Sequence, residues 1–429
     1  MHLIAWLKAK NQIFGLADQL VVSMTSFVTM IVIARATDVA QLGLYSIAVS
    51  VLVMALTVQD SLVTRPYSIQ ILSPSGTPEE HGFSALLLSW GLAIAALLVA
   101  LSVAFAVSLS GRDPAEAILA LAIACALPLA LFREFGRRYS YANLKTYRAF
   151  MVDAVAAGAT LMPMAYLGWM GRLDAAKAIL IIGFGAGLSG TLWFLRRRSA
   201  FRYSRPALNQ TARRSFGLGK WLLFGQIAMQ LQGYAIHWIT LAAAGAAVTG
   251  TYAACLSIIG LANPFVFGFL NLLTPKSVRT LKHRGPRELR REVLRDSLML
   301  GGMMALFTIF IYFAGETVMV LIYGGGAYAN QGEVLTVLSL ASVAGAIGSF
   351  GAPAAIALQS AERGKATAAI ATFTCIAGIA ISWMLIARAG LIGAAWGLLV
   401  TEVIGAIGRW ALFVRIGFEK PHVPKGSPD

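Results

Sequence analysis

The chain has 429 residues, 58% of them hydrophobic and only 13% charged, with 42 glycines in addition, and its mean hydropathy is +0.72. Soluble domains carry about 25% charged residues, so soluble, disordered and fibrous classes are excluded and a polytopic membrane protein is indicated. A formal charge of +16, from 35 Lys and Arg against 19 Asp and Glu, leaves nucleic acid, anionic lipid and topology signals as competing readings until the distribution along the chain is known.

Twelve apolar runs follow one another. At about 20 residues per crossing of a ~30 Å bilayer core they use roughly 240 residues. The first, 12–34, follows Lys8 and Lys10 and ends at Ala34-Arg35-Ala36, as a cleaved signal peptide does. Its length, its Asp18 and the eleven runs behind it favour a retained span. Asp18, Thr25 and Thr29 share one helical face in it. Run two, 42–63, opens on Gly43-Leu-Tyr45 and closes near Asp60, Arg65 and Pro66. Runs three and four, 83–110 and 116–135, lead to Arg133, Glu134 and Arg137 at the fourth run's end.

Run five, 150–170, starts with Asp153 and contains Pro163, a kink signal. Run six, 175–195, follows Gly171-Arg-Leu173 and carries the pair Gly183 and Gly187, read as a close-packing surface. The Arg-rich stretch 196–216 reads as a loop, and its sequon Asn209-Gln-Thr211 is discounted because the loop is placed in the cytoplasm. Run seven, 217–242, sets Gln226, Gln230, Gly233, His237 and Thr240 on one face.

Run eight, 250–273, opens on Gly250-Thr-Tyr252 and contains Asn263-Pro264. The basic stretch 275–295 reads as a solvated, partly amphipathic cytoplasmic loop resting on anionic headgroups. Runs nine to twelve fall at 297–323, 332–358, 366–387 and 391–414. The last carries Gly393 and Gly397, a second packing pair, and Glu402 and Arg409, which are seven apart on one face and able to pair.

With the N-terminus in the cytoplasm, only Arg35, Arg112, Arg172, Lys177 and Arg388 of the 35 basic residues lie on the opposite side. That asymmetry is what positive-inside insertion demands. It accounts for the basic balance without nucleic acid, and it predicts an even number of spans with both termini inside. The motif Gly43-Leu-Tyr45 recurs as Gly250-Thr-Tyr252 at an offset of 207, and Gly171-Arg-Leu173-Asp-Ala175-Ala176 recurs as Gly390-Leu-Ile392-Gly-Ala394-Ala395 at 219. Two six-helix repeats are therefore expected, an N-terminal lobe 1–205 and a C-terminal lobe 206–429 with a short cytoplasmic tail. An even number of spans in each makes the repeats parallel.

Enzyme chemistry finds no support. Gly217-Leu-Gly-Lys220 and Gly364-Lys365 lack the upstream Gly and following Ser/Thr of a phosphate-binding loop. Cys125, Cys255 and Cys375 are isolated, and the five His are scattered, so neither disulfide nor metal site is expected. Uphill transport must then draw on H+ or Na+ or the membrane potential. Polar groups in hydrocarbon are costly and mark function. The substrate-cavity candidates are Asp18, Thr25, Thr29, Arg65, Gln226, Gln230, His237 and Arg409; the candidate coupling carboxylates are Asp18, Asp60, Asp153 and Glu402. The competing reading is structural: interhelical hydrogen bonds for Thr and Gln, a packing His, and helix-end charges.

Ile33-Ala-Arg35 followed by Gly43-Leu-Tyr45, with Gly250-Thr-Tyr252, Leu273-Thr-Pro275 and Ala389-Gly-Leu-Ile-Gly393-Ala-Ala395, resembles the polysaccharide flippases of the Wzx type. These share a superfamily with MATE drug exporters and lipid II flippases. The resemblance implies a MATE-like all-α fold of about twelve spans in the bacterial inner membrane, with an alternating-access cavity. The substrate it implies is a polyprenyl-pyrophosphate-linked oligosaccharide for O-antigen, capsule or exopolysaccharide assembly, with a polymerase or chain-length regulator as partner. Few Lys or Arg lie deep in the spans, which moves an expected pyrophosphate contact toward the cytoplasmic entrance, near Arg65, Lys220 and Arg409. A cation-coupled drug exporter and a membrane-embedded glycan polymerase or transferase are the alternatives.

Overall fold

A computed structural model describes residues 2–71, 77–111, 113–324, 331–361 and 363–415. The side chains of residues 1–12 and of Thr274 and Pro275 lie outside that description, as do Arg112 and the tail after Arg415. Among the described residues there is no strand. The long helices are α1 (His2–Ala36), α2 (39–70), α3 (Pro78–Leu109), α4 (Pro114–Ala142), α5 (Thr146–Trp169), α6 (Ala175–Leu195), α7 (Arg205–Ala244), α8 (246–283), α9 (Pro286–Tyr323), α10 (Gln331–Ser360), α11 (364–388) and α12 (391–415).

Their starts follow local chemistry. Asp38 accepts from Gln41 N at 2.8 Å at the head of α2, and Asp174 does the same for Lys177 N at 2.8 Å at the head of α6. Thr77 and Glu80 form a reciprocal capping box before α3. Each satisfies backbone donors that the first helical turn leaves without partners. Between α11 and α12 the chain reverses at Ala389-Gly390, where Gly390 takes φ +50°, a conformation that costs glycine little. The reversal is visible in what small residues face: Gly378 meets Thr401, Ser382 meets Gly397 and Ile370 meets Gly408. Rising numbers on one helix face falling numbers on the other, so α11 and α12 are antiparallel.

Among the described residues ten helical stretches are long and apolar enough to cross a membrane, and one of them contains the α11–α12 hairpin. α7, 40 residues long and interrupted by Gln226, Gln230 and His237, lies outside that set. The expected all-α, multi-pass membrane architecture is therefore observed, and each of the twelve apolar runs falls on one helix, with 83–110 and 150–170 overrunning its end by one residue.

The chain divides into two compact units, Met1–Gln230 and Leu231–Asp429, so the division falls inside α7 and not at the Arg-rich linker before it. In the first unit α4 is the central helix, packed against α2, α3, α5 and α6, while α1 lies on α5. Gly183 and Gly187 of α6 meet Ala126 and Leu129 of α4, the close packing expected of that glycine pair. In the second unit α10 takes the central place, against α8, α9 and the α11–α12 hairpin. The fourth helix of each six thus plays the same role, as a repeat requires. Tyr45 and Tyr252 of the paired motifs are 6% and 1% exposed.

Two stretches expected as loops are helical. Residues 275–295 form the end of α8 and the start of α9, joined at Arg284-Gly285. Lys276 of α8 reaches Asp296 at 2.6 Å and Glu292 at 3.1 Å on α9, so ion pairs between the two helices replace solvation. We expect Lys276→Met to cost the fold roughly 1–3 kcal/mol, by leaving the nearly buried Asp296 without its donor. Thermal unfolding in detergent measures it, and an unchanged midpoint contradicts this account. The second stretch is the sequon, which lies in α7. Thr211 is 1% exposed, with its hydroxyl 3.1 Å from His81 Nδ1.

Candidate functional site

The first unit concentrates its intramembrane charge at one end of α1, α2, α4 and α5. Spacing on α4 sets the frame. Arg133, Arg137 and Tyr141 lie four apart and share a face, and Glu134 and Arg138 form the neighbouring row. Arg137 is the hub. Its Nη2 donates to Asp18 of α1 at 3.1 Å, its Nη1 donates to Glu134 at 3.2 Å, and its Nε lies 2.6 Å from Asp153 of α5. Tyr141 also donates to Asp18, at 2.5 Å. Arg133 stands 3.4 Å from Asp153. Asp18 is fully buried and Asp153 is 2% exposed.

A second part of the cluster depends on an irregularity. α2 passes through a π-helical turn, Asp60–Thr64, in which Arg65 N–H bonds to Asp60 O. In an α-helix, side chains five apart point well away from each other; the wider turn brings Arg65 Nε to 2.6 Å from Asp60 Oδ2. Thr64 donates to the other oxygen of the same carboxylate at 2.8 Å, and Arg138 approaches it at 3.7 Å while donating to Glu134 at 2.7 Å. Asp18, Asp60, Glu134 and Asp153 are thus matched by Arg65, Arg133, Arg137 and Arg138, four charges of each sign. Pairing offsets the large cost of moving such groups out of water. Arg65 and Arg138 remain 44% and 43% exposed, whereas Arg137 is 13% exposed.

Beside the cluster lies a cavity of about 180 Å³ within the same unit, lined by Thr25, Thr29, Tyr45, Arg133, Asp153 and Thr160 together with aliphatic residues of α2. The face predicted on α1 therefore divides. Thr25 and Thr29 line the cavity, while Asp18, two turns earlier, is held by Arg137 and Tyr141. Thr25 spends its hydroxyl proton on Val21 O at 2.6 Å. Of the candidate coupling carboxylates, Asp153 lines the cavity, and Asp18 and Asp60 sit in the ion-pair cluster. Glu402 pairs with Arg409 in the second unit at 3.4 Å.

The α7 candidates disperse. Gln230 donates to Thr57 of α2 at 3.1 Å, and Gln226 is half-buried. His237, 8% exposed, lies edge-on to Tyr252 at 5.1 Å between ring centroids. The sequence alone placed Arg133, Glu134 and Arg137 among in-membrane or edge charges and counted Arg138 with Arg133 and Arg137 as cytoplasmic topology charges, and it passed over Tyr141 and Thr160. The recurrence of Arg133, Arg137 and Tyr141 at intervals of four was the available signal.

No protein-family model matches the chain, and no curated protein matches it either. Solved structures do. An inward-facing multidrug resistance MATE family transporter of the MOP superfamily superposes with a TM-score of 0.72 at 15% identity, covering 94% of each chain. A MOP superfamily transporter from Pyrococcus furiosus, described as having a binding pocket of reversed polarity, gives 0.68 at 13% identity, covering 95% of this chain and 94% of that one. A Vibrio cholerae MATE transporter mutant gives 0.64 at 15% identity over 96% of both. At these identities the likeness is one of fold: the chain has the MATE fold along nearly its whole length.

Proposed function

We propose that this protein is a secondary transporter that moves an anionic amphiphile, a polyprenyl-pyrophosphate-linked oligosaccharide, from the inner to the outer leaflet of a bacterial cytoplasmic membrane by alternating access. The carrier part rests on the fold, which is that of transporters over more than nine-tenths of both chains. The cargo part rests on one observation above all: each of Asp18, Asp60, Glu134 and Asp153 faces a guanidinium. Paired in this way, the acids of the cluster present no free carboxylate to a bulky cationic drug, and only a small ion can compete with a guanidinium there. Half-exposed Arg65 and Arg138 at the rim of the cluster offer forked donors suited to phosphate oxygens. Coupling to H+ or Na+ is assigned to Asp153, the one of the four candidate carboxylates that lines the cavity.

The second reading, a cation-coupled drug exporter, is favoured by the multidrug transporters among the similar folds. Reconstituted vesicles separate the two. Lipid-linked oligosaccharide is expected to become accessible at the opposite leaflet, and Arg65→Ala with Arg138→Ala is expected to slow this at least tenfold. Asp153→Asn is expected to abolish its dependence on an imposed ion gradient. Expulsion of a cationic dye with no movement of the glycolipid would replace this reading with the second one.

A further inference from the structure

A second cleft, separate from the cavity above, opens between α5 and α6 of the first unit. It encloses about 350 Å³ and is lined at one end by Arg148, Arg196, Arg197 and Trp193, and elsewhere by apolar residues that include Met151 and Leu192. Three donors on it are buried and bond to nothing: Arg148 Nη1, Arg197 Nη2 and Trp193 Nε1. The Arg148 guanidinium is engaged elsewhere by Tyr147, to which Nε donates at 2.8 Å and over whose ring it lies at 5.4 Å. None of the three arginines pairs with a carboxylate among the described residues, in contrast to Arg133 and Arg137 of α4.

Buried donors without acceptors are rare in folded proteins, and each costs about 1–3 kcal/mol, more when charged. Three on residues that line one cleft call for an acceptor with several oxygens and negative charge. Guanidinium forks match phosphate in that role. The surroundings narrow the source. Met151 on the cleft is 46% exposed, and Leu195, next in the chain to the lining Arg196, is 52% exposed, so the cleft lies on a surface suited to acyl chains. Arg196, Arg197 and Arg148 also belong to the basic clusters that positive-inside insertion assigns to the cytoplasmic face, where anionic lipids gather. Tyr147 and Trp193 have the amphipathic rings found at headgroup depth.

We infer that this cleft is a binding site for an anionic phospholipid, its phosphate held by Arg148, Arg197 and the Trp193 N–H and its acyl chains lying along Met151 and Leu192. The inference is independent of which cargo the protein carries.

Native mass spectrometry of the detergent-purified full chain tests it, with dioleoylphosphatidylglycerol, dioleoylphosphatidylcholine and inorganic phosphate as probes. Wild type is expected to retain phosphatidylglycerol about tenfold better than phosphatidylcholine, and millimolar inorganic phosphate is expected not to displace it. Arg148→Gln with Arg197→Gln is expected to lower that retention about tenfold. Arg287→Gln with Arg291→Gln, which removes the same charge from exposed positions on α9, is expected to leave it unchanged. Trp193→Phe keeps the ring among Phe135, Tyr139 and Phe201 and loses only the donor; about a threefold loss is expected there, even if the arginine variant folds poorly. Equal retention by wild type and by both cleft variants overturns the site. Displacement by inorganic phosphate, or equal binding of phosphatidylcholine, overturns its assignment to an anionic lipid.

Discussion

Arg137→Leu is expected to be among the most damaging single substitutions in this chain, lowering the stability of the first unit by about 3–5 kcal/mol. One guanidinium serves Asp18, Glu134 and Asp153 at 3.1, 3.2 and 2.6 Å on three helices. Removing it leaves fully buried Asp18 with only the Tyr141 hydroxyl and leaves Asp153 with Arg133 at 3.4 Å and Glu134 with Arg138 at 2.7 Å, and a buried charge that loses its partner is far costlier than the intact pair was favourable. Arg137→Lys retains the charge but not the fork, so it is expected to recover only part of the loss.

The informative comparison is Arg137→Leu combined with Asp18→Asn and Asp153→Asn. Neutralising the stranded acids should return a substantial share of the stability, making the triple variant sturdier than the single one. Thermal unfolding in detergent, followed by intrinsic tryptophan fluorescence, measures all of these. Should Arg137→Leu unfold within a degree or two of wild type, the cluster holds nothing together and the account of the first unit is wrong.

Gly397→Val is expected to produce the second large effect, this time through shape. A Cβ there sits 2.5 Å from Ser382 Oγ and 3.0 Å from Ser382 Cα across the α11–α12 hairpin. The second of those atoms is backbone and cannot rotate away. At Gly393 a Cβ runs into the Leu385 carbonyl near the hairpin's corner. Membrane helices associate through such close approaches, since lipid tails offer apolar side chains as good a solvent as the protein does. Overpacking costs about 1–3 kcal/mol for added methylenes, and Gly397→Val and Gly393→Val are expected at or above the upper end.

Gly302→Ala provides the contrast. It lies inside α9 with nothing within 4 Å of an added Cβ, so a methyl there should stabilise by about 0.4–1 kcal/mol through the restricted unfolded chain, whereas Gly397→Ala already meets Ser382. Similar melting shifts at Gly302 and Gly397 would show that proximity across the hairpin is not what Gly397 provides.

Much of this protein was legible before any coordinates. The twelve apolar runs each fall on one helix, to within a residue at its end, because crossing a bilayer imposes a length and a polarity that any reader can count. The paired motifs at Tyr45 and Tyr252 are buried in both units, since repeated packing demands repeated residues. Gly183, Gly187, Gly393 and Gly397 face neighbouring helices, as small residues in apolar spans are expected to do. The pairing of Glu402 with Arg409 could be read from a spacing of seven along one helix.

What the chain order does not contain is which helices become neighbours. Asp18, Arg137 and Asp153 are separated by more than a hundred residues on one side, and their meeting depends on α1 lying on α5 and α5 lying against α4. The Asp60–Arg65 pair needs a π-helical turn, an irregularity that costs little and leaves no compositional mark, so a periodicity of 3.6 sends those side chains apart. Residues 275–295 looked like a solvated loop because charge density says only that a segment avoids hydrocarbon. Ion pairs between α8 and α9 then decide that it is helical. Local pattern fixes what each segment is made to bury, because burial depends on residues a few positions apart. The partner of each buried charge is set by packing over long separations, and that is decided only when the helices are assembled.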